Sequence, residues 1–306
     1  MNIKFFVVAL GVVLGLMGCA ASSAPTVVRF TDVEPIPETN ASLQAIKPLR
    51  VAVAAVISPK GNVESYSDLL NYIGEKIGRP VELVQRQTYA EVNDLVKQGQ
   101  VDLAFVCTSA YVAGQRDFGM ELLVAPQVNG ETVYYSLLIV PASSSARSLE
   151  DLRGKTFAFT DPLSLTGRVY PTLKVTTLGA TPETFFERTF YTYSHDNAIR
   201  AVANQVADGA NVDSLVYEYF VARDPEIVSK TRVIDRSPAF GIPPVVVNPK
   251  LNPQLKTLLR EILLQADSDA VGRRILKNLM IDRFVVVPES LYDSARALEL
   301  QINTAP

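Results

Sequence analysis

Two hydrophobic periods alternate along the first third of the folded chain. Residues 49–57 (LRVAVAAVI) form an unbroken apolar, β-branched run behind Pro48, as a strand buried on both faces requires. Leu69, Leu70, Ile73 and Ile77 then recur at helical spacing within 66–77, and Gly78 followed by Pro80 supplies the stop. The pattern predicts a second strand at 81–85, a helix at 89–97 ended by Gly99, and a third strand at 101–106. Strand and helix in strict alternation point to parallel α/β architecture.

The same alternation returns further on. Residues 134–140 predict a strand, 141–147 (PASSSAR) a break, 149–152 a short helix, 156–160 a strand, and 167–178 and 198–206 two helices. A second breaker-rich stretch, 236–244 (RSPAFGIPP), leads into a strand at 245–247 and a helix at 253–267. The chain is therefore expected to leave one lobe near 141 and to return near 236. Residues 49–140 and 236–306 would make lobe 1, and 141–235 lobe 2, with the two crossings acting as a hinge.

Composition narrows the function. Of 306 residues, 29 are Lys or Arg and 32 Asp or Glu, a net charge of −3 that argues against a nucleic-acid binder relying on its global field. Two cysteines and one histidine exclude a disulfide scaffold and a zinc site of several His or Cys ligands, so no metal or cofactor is expected. Gly-x-Ser-x-Gly, the Gly-rich phosphate loop ending in Gly-Lys-Ser/Thr, and His-Glu-x-x-His are all absent. Ser, His and Asp are nonetheless present, which keeps a hydrolase as the rival to a binding protein.

Ahead of the body, residues 5–18 (FFVVALGVVLGLMG) are apolar throughout after a single Lys4. This run is too short for a bilayer core, which takes ~20 residues, and it suits a secretory leader over 1–18. It ends in Leu16-Met17-Gly18-Cys19, which resembles the lipobox of bacterial lipoproteins, so Cys19 is the expected lipidation site; the alternative is an incidental cysteine in a plain leader. Residues 19–48, with four prolines, read as an extended tether to the cell envelope.

Strand 156–160 runs into Asp161-Pro162-Leu163-Ser164-Leu165-Thr166-Gly167 before a helix. Exposed N–H groups, the positive end of the helix dipole and neighbouring hydroxyls there would make a neutral anion cradle. Ser164 or Thr166 acting only as an N-cap is the plainer alternative.

Four segments, in order, resemble the substrate-binding proteins of ABC importers for phosphonate, phosphite and phosphate. They are Tyr89 with 101–105 and 108–111; 134–140 with 148–155; 159–167 with Pro171; and Ser194-His195-Asp196-Asn197-Ala198-Ile199 with 211–214. The resemblance implies a two-lobe fold of the type II periplasmic binding proteins that closes on a ligand. It implies ligand contacts from Tyr89, Tyr134, Ser164, Thr166, Gly167, His195 and Asp213. Ser109 and Tyr111, opening the helix after strand 101–106, would add a second amide cradle. Leu165 departs from the pattern, since the family commonly has a hydroxyl residue there. Tyr135 should point away from the cleft by strand alternation.

In relatives that take an aminoalkylphosphonate, two carboxylates hold the ammonium. Asp213 aligns with one and the other falls in Gly241-Ile242-Pro243-Pro244, which contains no acid. Phosphite or methylphosphonate is therefore expected over aminoethylphosphonate, unless Asp213 only caps the following helix. Relatives with a cysteine near Cys107 include arsenite-sensing receptors, although Cys107 also reads as a small buried residue at a strand end. The expectation is a monomeric, lipid-anchored solute receptor that hands a small oxyanion to an ABC permease, binds no nucleic acid and is no enzyme. The alternative is an oxyanion sensor, for arsenite or phosphate, partnering a membrane histidine kinase.

Overall fold

The computed structural model describes residues 47–304; the leader, Cys19 and the tether up to residue 46 lie outside the described residues. The three predicted runs become β1 (Leu49–Val53), β2 (Val81–Val84) and β3 (Leu103–Phe105), linked by α1 (Pro59–Ile77) and α2 (Tyr89–Lys97) and followed by α3 (Thr108–Phe118). Side-chain alternation splits β1 between two cores. Leu49, Val51 and Val53 pack with Leu69 and Ile73 of α1, while Ala52 and Ala54 face Tyr89 and Val92 of α2.

The chain continues through β4 (Glu121–Gln127), β5 (Val133–Tyr134), β6 (Ser136–Pro141), β7 (Thr156–Phe159), α4 (Tyr170–Thr177), α5 (Pro182–Phe185), β8 (Arg188–Tyr191), α6 (His195–Ala203), β9 (Gly209–Asp213), α7 (Ser214–Arg223), α8 (Pro225–Ser229) and β10 (Thr231–Arg236). It ends with β11 (Phe240–Gly241), β12 (Val245–Val247), α9 (Pro253–Leu264), α10 (Ala270–Asn278), β13 (Arg283–Val285) and α11 (Asp293–Thr304).

These strands form two main sheets, one ordered β13-β4-β12-β3-β1-β2 and the other β10-β6-β9-β7-β8. Each is parallel towards one edge, with β1 between β2 and β3, and β7 between β8 and β9. The run from β1 to β3 is parallel as expected, while each sheet as a whole is mixed. The strands next to the crossings, β12 and β6, enter without a helical crossover and pair antiparallel with β3 and β9.

The first crossing also comes earlier than residue 141. The apolar run 134–140 is two strands, in which Tyr134 pairs with Phe240 of β11 and Ser136 with Asp213 of β9. The strand 136–141 thus belongs to the second sheet, and the hinge is the β5–β11 ribbon. A run buried on both faces carries no mark of which sheet it joins. Tyr135, at the break, is half-buried beneath the Arg236 guanidinium, 3.4 Å from the ring centroid. The last helix, α11, packs on α3 of one lobe and α4 of the other.

Candidate functional site

Both sheets present the carboxyl ends of their parallel strands, and the helix N-termini that follow, to the space between them, which is where open α/β sheets receive ligands. From lobe 1 come Tyr89, Cys107 and Tyr134. A capping box starts α2, with Glu91 N–H donating to Thr88 Oγ1 (3.2 Å) and Thr88 N–H to Glu91 Oε2 (2.9 Å), and this fixes Tyr89 as the first helical residue. Tyr134 sits on the hinge ribbon, and both tyrosines are fully buried.

Lobe 2 supplies the turn after β7. Ser164 caps it by accepting the Gly167 N–H at 3.0 Å, and residues Leu165–Val169 wind as a π-type turn before α4 begins. Ser136 Oγ donates to the Thr166 carbonyl at 2.7 Å and itself accepts from Asn211 Nδ2 at 2.8 Å, tying the turn to the sheet beneath. Gly167 is required by close approach: a Cβ there would lie 1.9 Å from Thr160 Oγ1.

Hydrogen bonds across the lobes seal the space. Tyr89 N–H donates to Asp161 Oδ2 (3.1 Å), Ser58 N–H to Asp196 Oδ1 (2.8 Å), and His195 N–H to the Val56 carbonyl (2.9 Å). In each case a backbone group of one lobe is satisfied only by the other, so the three bonds define a closed arrangement.

Inside it, four buried hydroxyls have no hydrogen-bond partner among the described residues: Tyr89, Tyr134, Thr160 and Thr166. A buried hydroxyl left unmade costs about 1–3 kcal/mol. The Ser109 and Tyr111 hydroxyls are unpartnered as well, so what sets these four apart is that they belong to one interlobe space. Beside them His195 Nε2 lies 3.3 Å from Ser164 Oγ, while its Nδ1 accepts the Asp213 N–H at 3.0 Å. That acceptance puts the ring proton on Nε2.

Burial pushes the His195 pKa down to about 3, so the ring is a neutral donor. Burial holds both tyrosine phenols well above their usual range and raises the Cys107 thiol to about 12. It also lifts the Asp213 carboxyl to about 7, against the lowering effect of the Leu215 and Val216 N–H groups. These residues offer hydroxyl, imidazole and amide N–H donors and no Lys or Arg. The pair Ser164 and His195 cannot work as nucleophile and base, because the nitrogen facing the hydroxyl already carries the proton.

Tyr89, Tyr134, Ser164, Thr166, Gly167, His195 and Asp213 are thus brought to one interlobe space. The mutual influence of Tyr89, Tyr134 and Asp213 on ionisation reflects that proximity. Asp213 also caps α7, its Oδ1 accepting from Leu215 N–H at 2.7 Å.

Ser109 and Tyr111 lie elsewhere. Ser109 lines a crevice with Arg116 and Glu299, and the Tyr111 ring packs on Tyr292 at 4.8 Å between centroids. Cys107 is the N-cap of α3, and the residues after it rotate towards α11. The Cys107 side chain makes no cap hydrogen bond at the start of α3. Thr160 and Asn62 were not singled out from sequence; Thr160, adjoining the quoted turn, was the more accessible of the two.

A family model described as "ABC transporter, phosphonate, periplasmic substrate-binding protein" matches residues 51–292. The phosphate-import protein PhnD of Mycolicibacterium smegmatis is 26% identical over 275 residues, covering 86% of this chain and 81% of that protein. The phosphonates-binding periplasmic protein of Escherichia coli is 25% identical over 238 residues, covering 76% and 70%. The fold is shared with the binding component of a phosphonate ABC transporter from Pseudomonas aeruginosa (TM-score 0.79, 24% identity, 83% of this chain and 86% of that one). It is shared also with PhnD1 of Prochlorococcus marinus in complex with methylphosphonate (TM-score 0.76, 16% identity, 84% and 98%). With a match that spans both lobes and the hinge, this chain belongs to the phosphonate family of periplasmic substrate-binding proteins of ABC transporters.

Proposed function

We propose that the chain captures a small phosphorus oxyanion, phosphonate, phosphite or phosphate, between its lobes and presents it to an ABC permease without altering it. The observation that carries this reading is the set of unpartnered buried hydroxyls, Tyr89 and Tyr134 from lobe 1 and the hinge, Thr160 and Thr166 from lobe 2. A tetrahedral oxyanion offers acceptors in several directions at once, and together with the Nε2–H of His195 it would satisfy donors from both lobes. Ligand binding and lobe closure would then be one event.

Asp213 adds discrimination. Its carboxyl repels a fully ionised dianion but can accept a hydrogen bond from a protonated oxyanion, which favours phosphorus acids over sulfate. Anchoring through a lipid on Cys19 would hold the monomer at the membrane face where its permease lies. The sensor reading, with arsenite on Cys107, is disfavoured by the thiol itself: soft ligation needs thiolate, and burial pushes this pKa to about 12.

A thermal-shift panel of phosphate, phosphite, methylphosphonate, aminoethylphosphonate, sulfate and arsenite tests the proposal. A ligand at 100 times its Kd stabilises by ~2.7 kcal/mol, and only phosphorus anions should do so. A shift with arsenite alone would transfer the chain to the sensor class.

A further inference from the structure

The turn that carries Thr166 cannot complete its own hydrogen bonds. Along residues 164–170 the backbone donors reach back four or five residues: Arg168 and Val169 N–H both donate to the Ser164 carbonyl, at 3.0 and 2.9 Å, and Tyr170 N–H donates to the Leu165 carbonyl. The Thr166 carbonyl comes next. Its donor five residues on would be Pro171, which has no N–H, and the donor four residues on, Tyr170, is already given to Leu165. Ser136 Oγ stands in for them, donating to this carbonyl at 2.7 Å.

A serine hydroxyl has one proton, and here its direction is settled. Asn211 Nδ2 donates to Ser136 Oγ at 2.8 Å, which leaves the hydroxyl proton for Thr166. Ser136 is in turn fixed to the second crossing, its N–H donating to Ser237 Oγ at 2.8 Å and its carbonyl accepting from Ser237 N–H at 2.9 Å. Ser136, Asn211 and Ser237 are all buried. The peptide 166–167 is therefore held at both ends, its carbonyl by Ser136 and its N–H by Ser164 Oγ at 3.0 Å. The unpartnered Thr166 Oγ1 is borne on the Cα beside that peptide, so its aim follows the peptide plane.

Resting on the proposed capture of a phosphorus oxyanion, we infer that Ser136 is a positioning residue for the ligand. Oriented by Asn211 and tied to the return crossing by Ser237, it replaces the N–H that Pro171 lacks and holds the Thr166 hydroxyl where an oxyanion can accept from it. Ser136 itself offers an anion no donor, because its single proton is committed to Thr166. The hinge and the oxyanion turn thereby share one side chain: the residue that begins β6 at the first crossing also sets the donor geometry of lobe 2.

A double-mutant cycle read by calorimetry on the full chain, with methylphosphonate and inorganic phosphate as probes, tests this. Ser136→Ala should weaken the tighter-bound probe about tenfold when Thr166 is present, within the range for a lost hydrogen bond to a charged group. In a Thr166→Val background, where the hydroxyl to be aimed is gone, the same change should cost no more than about twofold. Equal losses in both backgrounds would overturn the inference, since a merely structural serine acts alike whether or not Thr166 carries its hydroxyl. So would an unchanged affinity in Ser136→Ala, or a Thr166→Val variant that binds as wild type does. If Ser136→Ala does not fold, Ser136→Cys, close in shape but with a weak S–H donor, takes its place in the same cycle. Wild type binding neither probe would instead defeat the oxyanion reading itself, and is thereby distinguishable.

Discussion

The backbone N–H of Asp213, at the end of β9, donates to Nδ1 of His195, at the start of α6, over 3.0 Å. One bond between two strand-to-helix junctions thus decides the tautomer of the sole histidine and the direction in which it can donate. It also separates this pair from a hydrolytic Ser–His arrangement, in which Nε2 must accept.

Because the chain has a single histidine, that tautomer is directly observable. Nitrogen NMR should show the proton on Nε2 and no titration between pH 8 and 5, since burial holds the pKa near 3. The sign follows from linkage: between about 6.5 and 3 the unfolded chain takes up a proton that the folded one refuses, so this contribution to stability is present above pH 6.5 and lost on acidification. A histidine titrating near 6.5 would contradict the assignment.

Asp213 behaves in the opposite sense. Its folded carboxyl is raised to about 7, so the folded state holds the proton more tightly than the unfolded one. Stability is greatest below the unfolded value and declines as pH rises to about 7. Asp213→Asn keeps a capping oxygen for Leu215 N–H but cannot ionise. Relative to wild type it should gain stability, on the order of 2 kcal/mol, between pH 4 and pH 8. Urea titrations at the two pH values read this directly, and parallel curves would refute it. The variant should also narrow the affinity gap between protonated and fully ionised ligands as pH rises.

Thr166 and Ser164 should part company on mutation. Thr166 Oγ1 has no partner, so Thr166→Val should weaken oxyanion binding by roughly 1.5–3 kcal/mol, the worth of a hydrogen bond to a charged group, while leaving folding stability unchanged or slightly raised. Ser164→Ala removes the cap on Gly167 N–H and should cost about 1 kcal/mol of stability even without ligand. If Thr166→Val bound phosphite as wild type does, the hydroxyl would have no part in the site.

The anchor has its own test. Metabolic labelling with a palmitate analogue should mark the wild type and not Cys19→Ser, and the variant should be released in soluble form outside the cytoplasm. An unlabelled variant that still sediments with membranes would show that residues 16–19 had been misread.

The amino-acid sequence by itself determined the local elements and the chemistry of the turn. A run such as Leu49–Val53 must be a doubly buried strand, and Ser164 ahead of Gly167 must start a helix, because both depend on neighbours within a few residues. Tertiary structure alone decided which sheet received residues 136–141, since a strand apolar on both faces can pair in either. It also decided that Ser109 and Tyr111 turn towards α11, because a helix start fixes spacing but not its rotation against partners far along the chain. The unpartnered hydroxyls and the buried, unpartnered Oδ1 of Asn62 could be found only there. Whether a polar atom is satisfied depends on every group brought around it, and Asn62 and Asp213, 151 residues apart in the chain, line one cavity only in the folded molecule.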